Sequence, residues 1–185
     1  ETLKEGAAED PHDRPRFLNI IEEHSKNLYH LIEDLLLLSK VESGRENLKR
    51  ETLDAEQILK KVIGALDLAL NSKKIKVALD FPEKPFLISA DAKSIEQVFS
   101  NLISNAIQYN EPGGKIAVRG SYEPGLVKIE VEDTGIGIPE SDIPRIFERF
   151  YRVDKSRSRE SGGTGLGLAI VKHIIEKHSG QIQVK

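Results

Sequence analysis

The sequence predicts an α+β protein: a two-layer sandwich of a mixed sheet with helices on one face, preceded by a helical-bundle segment. Two observations lead to this fold class. Residues 15–42 carry apolar side chains at heptad spacing, whereas residues 46–185 mix helical periodicity with strands of alternating polarity. We therefore divide the chain into a bundle segment at 1–45, with the end of one helix and a second helix over 15–42, and a domain at 46–185.

The predicted helix over 15–42 carries a seam of regularly spaced side chains. Its members follow a strict 4-3-4-3 spacing: Phe17, Ile21, His24, Leu28, Leu31, Leu35 and Leu38. This spacing is typical of a coiled coil or a helical bundle, although a helix lying on its own domain's core is the alternative. Ile32, Leu36 and Leu37 widen the stripe, which favours the bundle. One helix cannot bury this seam alone, so we expect a partner helix or subunit.

The elements of the domain follow in mixed order. Helices are predicted over 54–71, 92–109 and 165–178, with Asp91 capping the second. Strands are predicted at "IKVALDF", "FLISA", "GGKIAVRGSY" and "LVKIEVED", and a last strand begins at "QIQVK". The turn "EPG" joins the third and fourth strands into a hairpin. In the fourth strand, Val127, Ile129 and Val131 alternate with charged residues, which is typical of a sheet covered on one face.

The composition excludes several classes of protein. The net charge of −3 gives no global basic field for nucleic acid. The absence of cysteine excludes disulfides and thiolate metal sites, and it fits a reducing compartment. No apolar run approaches the roughly 20 residues that span a membrane, and no signal peptide is evident. Because the chain opens on Glu1 and contains no methionine, we expect a fragment whose upstream part could hold a membrane anchor.

The stretch "SNLISNAIQYN" (100–110) places two amides on one face of a predicted helix. Asn101 and Asn105 are four residues apart, and a buried amide without partners costs about 1–3 kcal/mol. A satisfied structural network is one explanation. The other is that an Asn oxygen completes the shell of Mg²⁺, which prefers hard oxygen ligands and phosphates. Tyr109, one turn beyond Asn105, could then contact a purine ring.

Two glycine-rich stretches flank a basic segment. "DTGIGIP" (133–139) starts where a strand stops, and its glycines permit close backbone approach. "GGTGLGL" (162–168) precedes a helix whose N–H groups could hold phosphate, although it is neither a dinucleotide fingerprint nor a P-loop. Between them, "RFYRVDKSRSRES" (149–161) is either a solvated loop or a lid over a polyphosphate. A plain turn also explains "DTGIGIP" alone, and "GGTGLGL" alone is a weak signal; their order indicates a nucleotide site.

These motifs together resemble the catalytic ATP-binding domain of sensor histidine kinases, the signal-transduction enzymes of two-component systems, in the superfamily of gyrase, Hsp90 and MutL. "SNLISNAIQYN" resembles the N box, "DTGIGIP" the first glycine box, "IFERFYR" the F box and "GTGLGL" the second glycine box. The resemblance covers roughly residues 46–185 and looks closest to the phosphate-regulon-sensor type. The helix at 15–42 resembles the second helix of the family's dimerisation and phosphotransfer bundle.

The resemblance implies a role for each matching residue. Asp133 would accept the exocyclic amine of adenine, Asn105 would bind Mg²⁺, and Tyr109 would pack on the base. Asn101 and Arg152, with Asn105, would act at the phosphates. The remaining implied nucleotide contacts are Gln108, Gly135, Gly137, Ile138, Lys155, Gly163, Thr164, Gly165, Leu166, Gly167 and Leu168.

One position departs from the family pattern. The family usually carries a lysine three residues after the Mg²⁺-binding asparagine, and this chain has Gln108 there. The lost positive charge could weaken phosphate binding, or Lys155 or Arg157 could substitute for it.

The resemblance implies an ATP- and Mg²⁺-dependent protein-histidine kinase. It would act as a homodimer, pass the phosphoryl group to the receiver domain of a response regulator, and form the cytoplasmic part of a protein that could be membrane-anchored. The family's acceptor motif, a histidine followed by an acid and then proline, does not occur: His12-Asp13 has the acid, but Phe17 stands where proline should be. We therefore expect the acceptor outside this chain. The alternatives are an anti-sigma-type serine kinase that switches protein partners, or a non-catalytic dimerisation module.

Overall fold

A computed structural model of the chain describes residues 13–22, 25, 28, 29, 32, 48–82, 85–153 and 164–185. The elements after residue 48 are β1 (Glu51–Asp54), α1 (Ala55–Ala65), α2 (Asp67–Ser72), β2 (Lys76–Asp80), β3 (Leu87–Ala90), α3 (Ala92–Gln108), β4 (Lys115–Glu123), β5 (Leu126–Asp133) and α4 (Gly167–Lys177). A short 3₁₀ turn lies at Ile143–Arg145. The predicted α+β fold class is confirmed.

The strands form a mixed sheet and a separate pair. In the sheet β2–β4–β5, β2 runs parallel to β4 with Lys76 opposite Lys115, and β4 runs antiparallel to β5 with Ile116 opposite Asp133. The predicted hairpin of the third and fourth strands is therefore confirmed as β4–β5. β1 and β3 pair with each other in antiparallel fashion. Ile129 and Val131 of β5 pack on the main core, as their alternation predicts.

Three elements differ from the sequence prediction. β1 was not expected, because its four residues contain one apolar side chain, Leu53, and it exists through pairing with β3. The predicted helix over 54–71 is two helices, because Leu66 leaves the helical conformation (φ −99°, ψ 7°) between α1 and α2. The strand predicted at "QIQVK" was wrong: residues 181–185 pair with none of the described strands, and a strand requires a ladder partner.

Helix α3 lies between two hydrophobic clusters. Phe99 and Ile103 belong to the main core, which also takes residues from α1, β2 and β4. Val98 belongs to a second, smaller cluster formed with α4, and Leu102 packs against it. A helix that serves two clusters needs apolar side chains on more than one face, which explains the crowded apolar pattern of residues 98–107.

The turn from α2 to β2 is a Schellman motif. Lys73 ends α2, Lys74 is left-handed (φ 55°), and the N–H groups of Lys74 and Ile75 donate to the carbonyls of Asn71 (3.0 Å) and Leu70 (2.9 Å). The side chains of Leu70 and Ile75 are both buried, which supplies the hydrophobic contact of this motif. The backbone of Lys73 is therefore held in one geometry.

The helical segment before residue 33 exposes apolar side chains. Residues 13–22 are helical, and Leu18, Ile21 and Leu28 are 55%, 46% and 59% exposed. The seam residues His24, Leu31, Leu35 and Leu38 lie outside the described residues, so the bundle segment at 1–45 and its boundary stay a prediction. Among the helices that the structure describes, none is both long and apolar enough to cross a membrane.

Asp91 caps the N-terminus of α3, as the sequence predicts. Its Oδ1 accepts hydrogen bonds from the Ser94 N–H and the Ser94 hydroxyl, each at 2.9 Å. The backbone hydrogen bond from Ser94 lowers the pKa of Asp91 most, and the Ser94 hydroxyl, the Lys49 N–H and the charge of His178 lower it further, while burial opposes them. The charged cap therefore stabilises the folded state.

We predict that Asp91→Ala lowers the free energy of unfolding by about 1 kcal/mol at pH 7, whereas Asp91→Asn, which keeps the acceptor oxygen for Ser94 but loses the charge and the acceptor for the Lys49 N–H, lowers it less. Because the folded-state pKa lies below the unfolded value of 3.8, the stabilisation by the carboxylate is complete above that value and is lost as the pH falls through the folded pKa. Wild type should thus lose more stability than Asp91→Asn on acidification below about pH 4. Urea unfolding at several pH values measures this, and parallel pH profiles for the two proteins would contradict it.

Candidate functional site

Direct hydrogen bonds join the motifs that the sequence singles out. The Ile136 N–H in "DTGIGIP" donates to the Tyr109 carbonyl at the end of α3 (3.2 Å). The Asn101 side-chain amide of α3 donates to the carbonyl of Gly167, the first residue of α4 (3.3 Å). The Phe150 N–H donates to the Gly165 carbonyl (3.0 Å). The structure thus brings together helix α3, which carries the N box, both glycine-rich stretches and the segment 147–151, which we call the aromatic segment.

The two amides of α3 have different surroundings. Asn101 and Asn105 are both half-buried, and Asn101 is used in the contact with Gly167. The Asn105 side chain makes no hydrogen bond to any residue that the structure describes, so its amide oxygen is available to a ligand. Tyr109, which caps the C-terminus of the helix, is 42% exposed. Asn105 therefore fits a ligand role better than Asn101.

Asp133 stands at the end of β5 with one oxygen occupied. Its Oδ1 accepts the Gly135 N–H at 2.8 Å, and within the described ranges no group donates to its second oxygen. A Cβ on Gly135 would lie 2.5 Å from the Tyr109 carbonyl oxygen, so a side chain there would push the loop away from α3. Gly137 (φ 69°) and the exposed Ile138 follow in the same loop. The carboxylate is thus oriented by the loop and open on one side.

The start of α4 offers free backbone N–H groups. The Thr164 hydroxyl accepts the Leu166 N–H (3.2 Å), and the first helical bond runs from the Ile170 N–H to the Leu166 carbonyl. Among the described residues no side chain caps the helix. The N–H groups of Gly167 and Leu168 therefore lack intrahelical partners, which makes this end suited to an anion. The side chain of Leu166 is fully buried in the second cluster, so only its backbone can contact a nucleotide.

A polar network holds the aromatic segment before α4. The Tyr151 hydroxyl donates to Asp142, and this hydrogen bond, with partial desolvation, raises the pKa of Tyr151. Arg145 lies 4.3 Å from the centre of the Tyr151 ring and pairs with Glu148 at 3.0 Å. Phe150 is left-handed (φ 61°).

Gly165 (φ 71°) packs against this segment. A Cβ on Gly165 would lie 3.0 Å from the Phe150 backbone, which explains why glycine is required there. Arg152 is half-buried just beyond the aromatic segment, whereas Lys155 and Gly163 lie outside the described residues.

Asn110 is a site residue that the sequence reasoning missed. It is 4% exposed, its Nδ2 donates to the Lys115 carbonyl (3.0 Å), and its Oδ1 accepts the Glu111 N–H and the Thr134 hydroxyl (both 3.1 Å). It therefore ties the end of α3 to β4 and to the loop after Asp133. An asparagine before Glu-Pro-Gly is typical of a turn, so the sequence pattern did not indicate this role. The signal that could have indicated it is Thr134, whose hydroxyl, next to Asp133, needs a hydrogen-bond partner.

The described residues of the candidate site include no cluster of classical metal ligands. No group of three or more His, Cys, Asp or Glu side chains that could hold a metal occurs in the part of the chain that the structure describes. A cation between α3 and α4 would therefore depend on the Asn105 oxygen, water and phosphate oxygens. Mg²⁺ accepts this donor set, because it keeps several waters and binds with substrate phosphates. The residues present thus fit Mg²⁺ brought in with a nucleotide.

Comparison with known proteins agrees with this geometry. Residues 90–185, just over half of the chain, match the family model described as histidine kinase-, DNA gyrase B-, and HSP90-like ATPase. The chain belongs to this family. The family resemblance predicted from the four motifs is confirmed.

Individual relatives are sensor kinases. Sensor protein kinase WalK of Staphylococcus aureus is 37% identical over 184 residues, which cover 98% of this chain and 44% of that protein. The structure of Acinetobacter baumannii histidine kinase AdeS matches with a TM-score of 0.75 and 30% identity, covering 100% of this chain and 87% of that one. Full-length ShkA in complex with AMPPNP matches with a TM-score of 0.73 and 26% identity, over 89% of this chain and 34% of that one. The chain thus spans less than half of WalK.

We predict that Asn110→Ala lowers the free energy of unfolding by about 2 kcal/mol, because it leaves buried polar groups without partners. Gly114→Ala should be destabilising for the same reason, since its Cβ would lie 2.1 Å from the Asn110 Oδ1 and would displace the amide. Gly64→Ala is the matched control: no atom lies within 4 Å of its Cβ, and in α1 it should add about 0.5–1 kcal/mol. Guanidinium unfolding measures all three. If Gly114→Ala is as stable as wild type, the Asn110 amide is not held by the hydrogen bonds given above.

Proposed function

We propose that this chain is the ATP-binding kinase core of a sensor histidine kinase. One observation supports this most: Asn101 and Asn105 of α3 and Tyr109, the residue that caps its C-terminus, follow each other at four-residue spacing. Asn101 contacts the start of α4, and Tyr109 contacts the loop after Asp133. Eight residues of helix span about 12 Å, which leaves room for a base at one end and phosphates at the other, with Asn105 between them.

The base end of this site suits adenine. The open oxygen of Asp133 can accept a hydrogen bond from the exocyclic amine of adenine, whereas guanine presents a carbonyl oxygen at that position and would be repelled. Tyr109 can pack against the ring, and Gly137 and Ile138 line the loop beside it. Selectivity for adenine would therefore come from a single oriented carboxylate.

The phosphate end would use backbone and cationic groups. The free N–H groups at Gly167 and Leu168 and the dipole of α4 favour negative charge. Thr164 and Arg152 flank this end, and Lys155 and Gly163 complete the proposed set. Asn105 would bind Mg²⁺, which supplies neutralisation of the phosphate charge when bound. Gln108 adds no positive charge here, in contrast to the lysine usual in the family.

The reaction we propose is transfer of the γ-phosphoryl group of ATP to a histidine that lies outside this chain. The imidazole nitrogen forms a bond to the γ-phosphorus, the bond from that phosphorus to the β–γ bridging oxygen breaks, and ADP leaves. The residues of this chain contribute positioning and electrostatic stabilisation rather than covalent chemistry. ShkA, which was solved with the nucleotide analogue AMPPNP, supports a nucleotide at this site.

The wider assembly belongs to the same proposal. The exposed Leu18, Ile21 and Leu28 of the helix predicted over 15–42 would form a homodimer with a second copy, through the bundle predicted at 1–45. The phosphoryl group would pass on to an aspartate of a response-regulator receiver domain. The chain would lie in the cytoplasm as part of a longer protein that could be anchored in the membrane.

We predict that Asp133→Ala and Asn105→Ala each weaken Mg·ATP binding about tenfold or more, because each removes a hydrogen bond or ligand to a charged or selective group. Asp80→Ala is the matched control, since Asp80 is an exposed aspartate at the end of β2, away from the site, and should leave the affinity unchanged. Calorimetry with and without Mg²⁺ measures these affinities. If both site variants bind Mg·ATP with wild-type affinity, the proposed nucleotide site is contradicted.

We predict that γ-labelled Mg·ATP labels a chain extended upstream through the missing acceptor helix. The label should be acid-labile and base-stable, as expected of phosphohistidine. An acid-stable label would instead indicate a serine kinase. A folded chain that binds Mg·ATP but takes up no label would contradict the kinase reaction, and Gln108→Lys would then test whether the missing charge is the cause.

A further inference from the structure

The side chain of Lys73 makes three hydrogen bonds to the end of α3. We propose that Lys73 is a positioning residue for the base end of the nucleotide site, an inference that rests on the proposed function. Its ammonium donates to the carbonyls of Ile107 (2.9 Å), Gln108 (2.8 Å) and Asn110 (3.1 Å). An ammonium has three donors, and all three are used here.

These contacts satisfy a need of the helix. The last carbonyls of an α-helix have no intrahelical partner, and the negative end of its dipole favours a cation. α3 ends at Gln108 with no basic residue in its own last turn. Lys73, which is 34 residues before Ile107, supplies the missing cation from the end of another helix.

The backbone of Lys73 is fixed by hydrogen bonds other than those of its side chain. The Schellman turn through Lys74 fixes its backbone, and its own carbonyl accepts the Gly113 N–H at 2.7 Å. The residue therefore contacts the segment 107–113 twice, through its side chain at the helix end and through its main chain beyond it. A clamp of this kind defines where α3 stops and how the chain leaves it.

Hydrogen bonds of the backbone connect the segment held by Lys73 to the residues that are proposed to contact the base. Tyr109 lies inside the clamped segment, and its carbonyl accepts the Ile136 N–H (3.2 Å). Gly135 packs against that carbonyl and donates to Asp133 Oδ1 (2.8 Å). Loss of the ammonium would let the helix end shift and would move the Asp133 carboxylate relative to Asn105. The hydrogen bonds of the Lys73 side chain go to backbone carbonyls at the helix end, so Lys73 acts on the base contacts through Tyr109 and Gly135.

The test compares two neighbouring lysines. Lys73→Met removes the three hydrogen bonds and keeps a side chain of similar length. Lys74→Met is the matched control, because Lys74 is adjacent and exposed, and its side chain makes no hydrogen bond or ion pair with any residue that the structure describes. Affinities for Mg·ADP and Mg·GDP are measured by calorimetry at a temperature where denaturant curves show each variant fully folded. Under that condition a purely stabilising role would leave both affinities unchanged.

We expect Lys73→Met to weaken Mg·ADP binding about tenfold and Mg·GDP binding less, so that the preference for adenine falls. The Ile136 amide should also exchange its hydrogen faster in this variant, because its acceptor is displaced. Lys74→Met should match wild type in all three measurements.

The contrary outcomes separate the two proposals. Wild-type affinity and adenine preference in Lys73→Met would overturn the positioning role while leaving the nucleotide site intact. Failure of the wild-type chain to bind Mg·ADP would overturn the proposed function itself. If Lys73→Met does not fold, Lys73→Gln replaces it, because the amide keeps two N–H donors; we expect an intermediate loss of affinity, and an affinity equal to wild type would overturn the inference.

Discussion

The end of helix α3 is the constraint on which the candidate site depends. Asn110, just after the helix, bonds to β4 and to the loop after β5. The Lys73 ammonium donates hydrogen bonds to the terminal carbonyls of the helix. If α3 ran one turn further, Tyr109 would no longer meet the loop of Asp133. A helix terminus is usually a place where backbone groups are left to water. Here the carbonyls of Ile107, Gln108 and Asn110 accept the Lys73 ammonium and the Asn110 side chain is buried, which fixes this terminus as one wall of a ligand site.

The two hydrophobic clusters explain how one helix can serve both halves of the site. The main core holds α3 against the sheet, so that Asp133 at the end of β5 comes near Tyr109. The second cluster holds α4 against a neighbouring face of α3, so that Gly167 comes near Asn101. The polar face with Asn105 runs between these contacts. The amides that look misplaced in the sequence are therefore at the boundary where neither cluster covers the helix.

Much of this arrangement could be predicted from the sequence, and the reason is local. Periodicity, the Asp91 cap and the glycine stretches are set by neighbouring residues, so they were predicted at nearly their final positions. β1, the break at Leu66 and the absence of a strand at 181–185 depend on pairing between distant segments, which one sequence does not display. Asn110 and Lys73 were missed for the same reason. In the sequence they are a turn asparagine and one of three lysines in "SKKIK", and only the fold shows what they bond.

The separation of the two clusters has a consequence for cooperativity. α4 attaches through the smaller cluster, so less apolar burial opposes its opening than opposes unfolding of the whole domain. The domain therefore consists of two units of unequal local stability that share α3 as their common boundary. A ligand that contacts both Asp133 and the first turn of α4 binds only when the two units are closed on each other, and its binding free energy is added to the weaker of them. Occupancy of the site and the local stability of α4 are for this reason thermodynamically linked, so that a change in one changes the other.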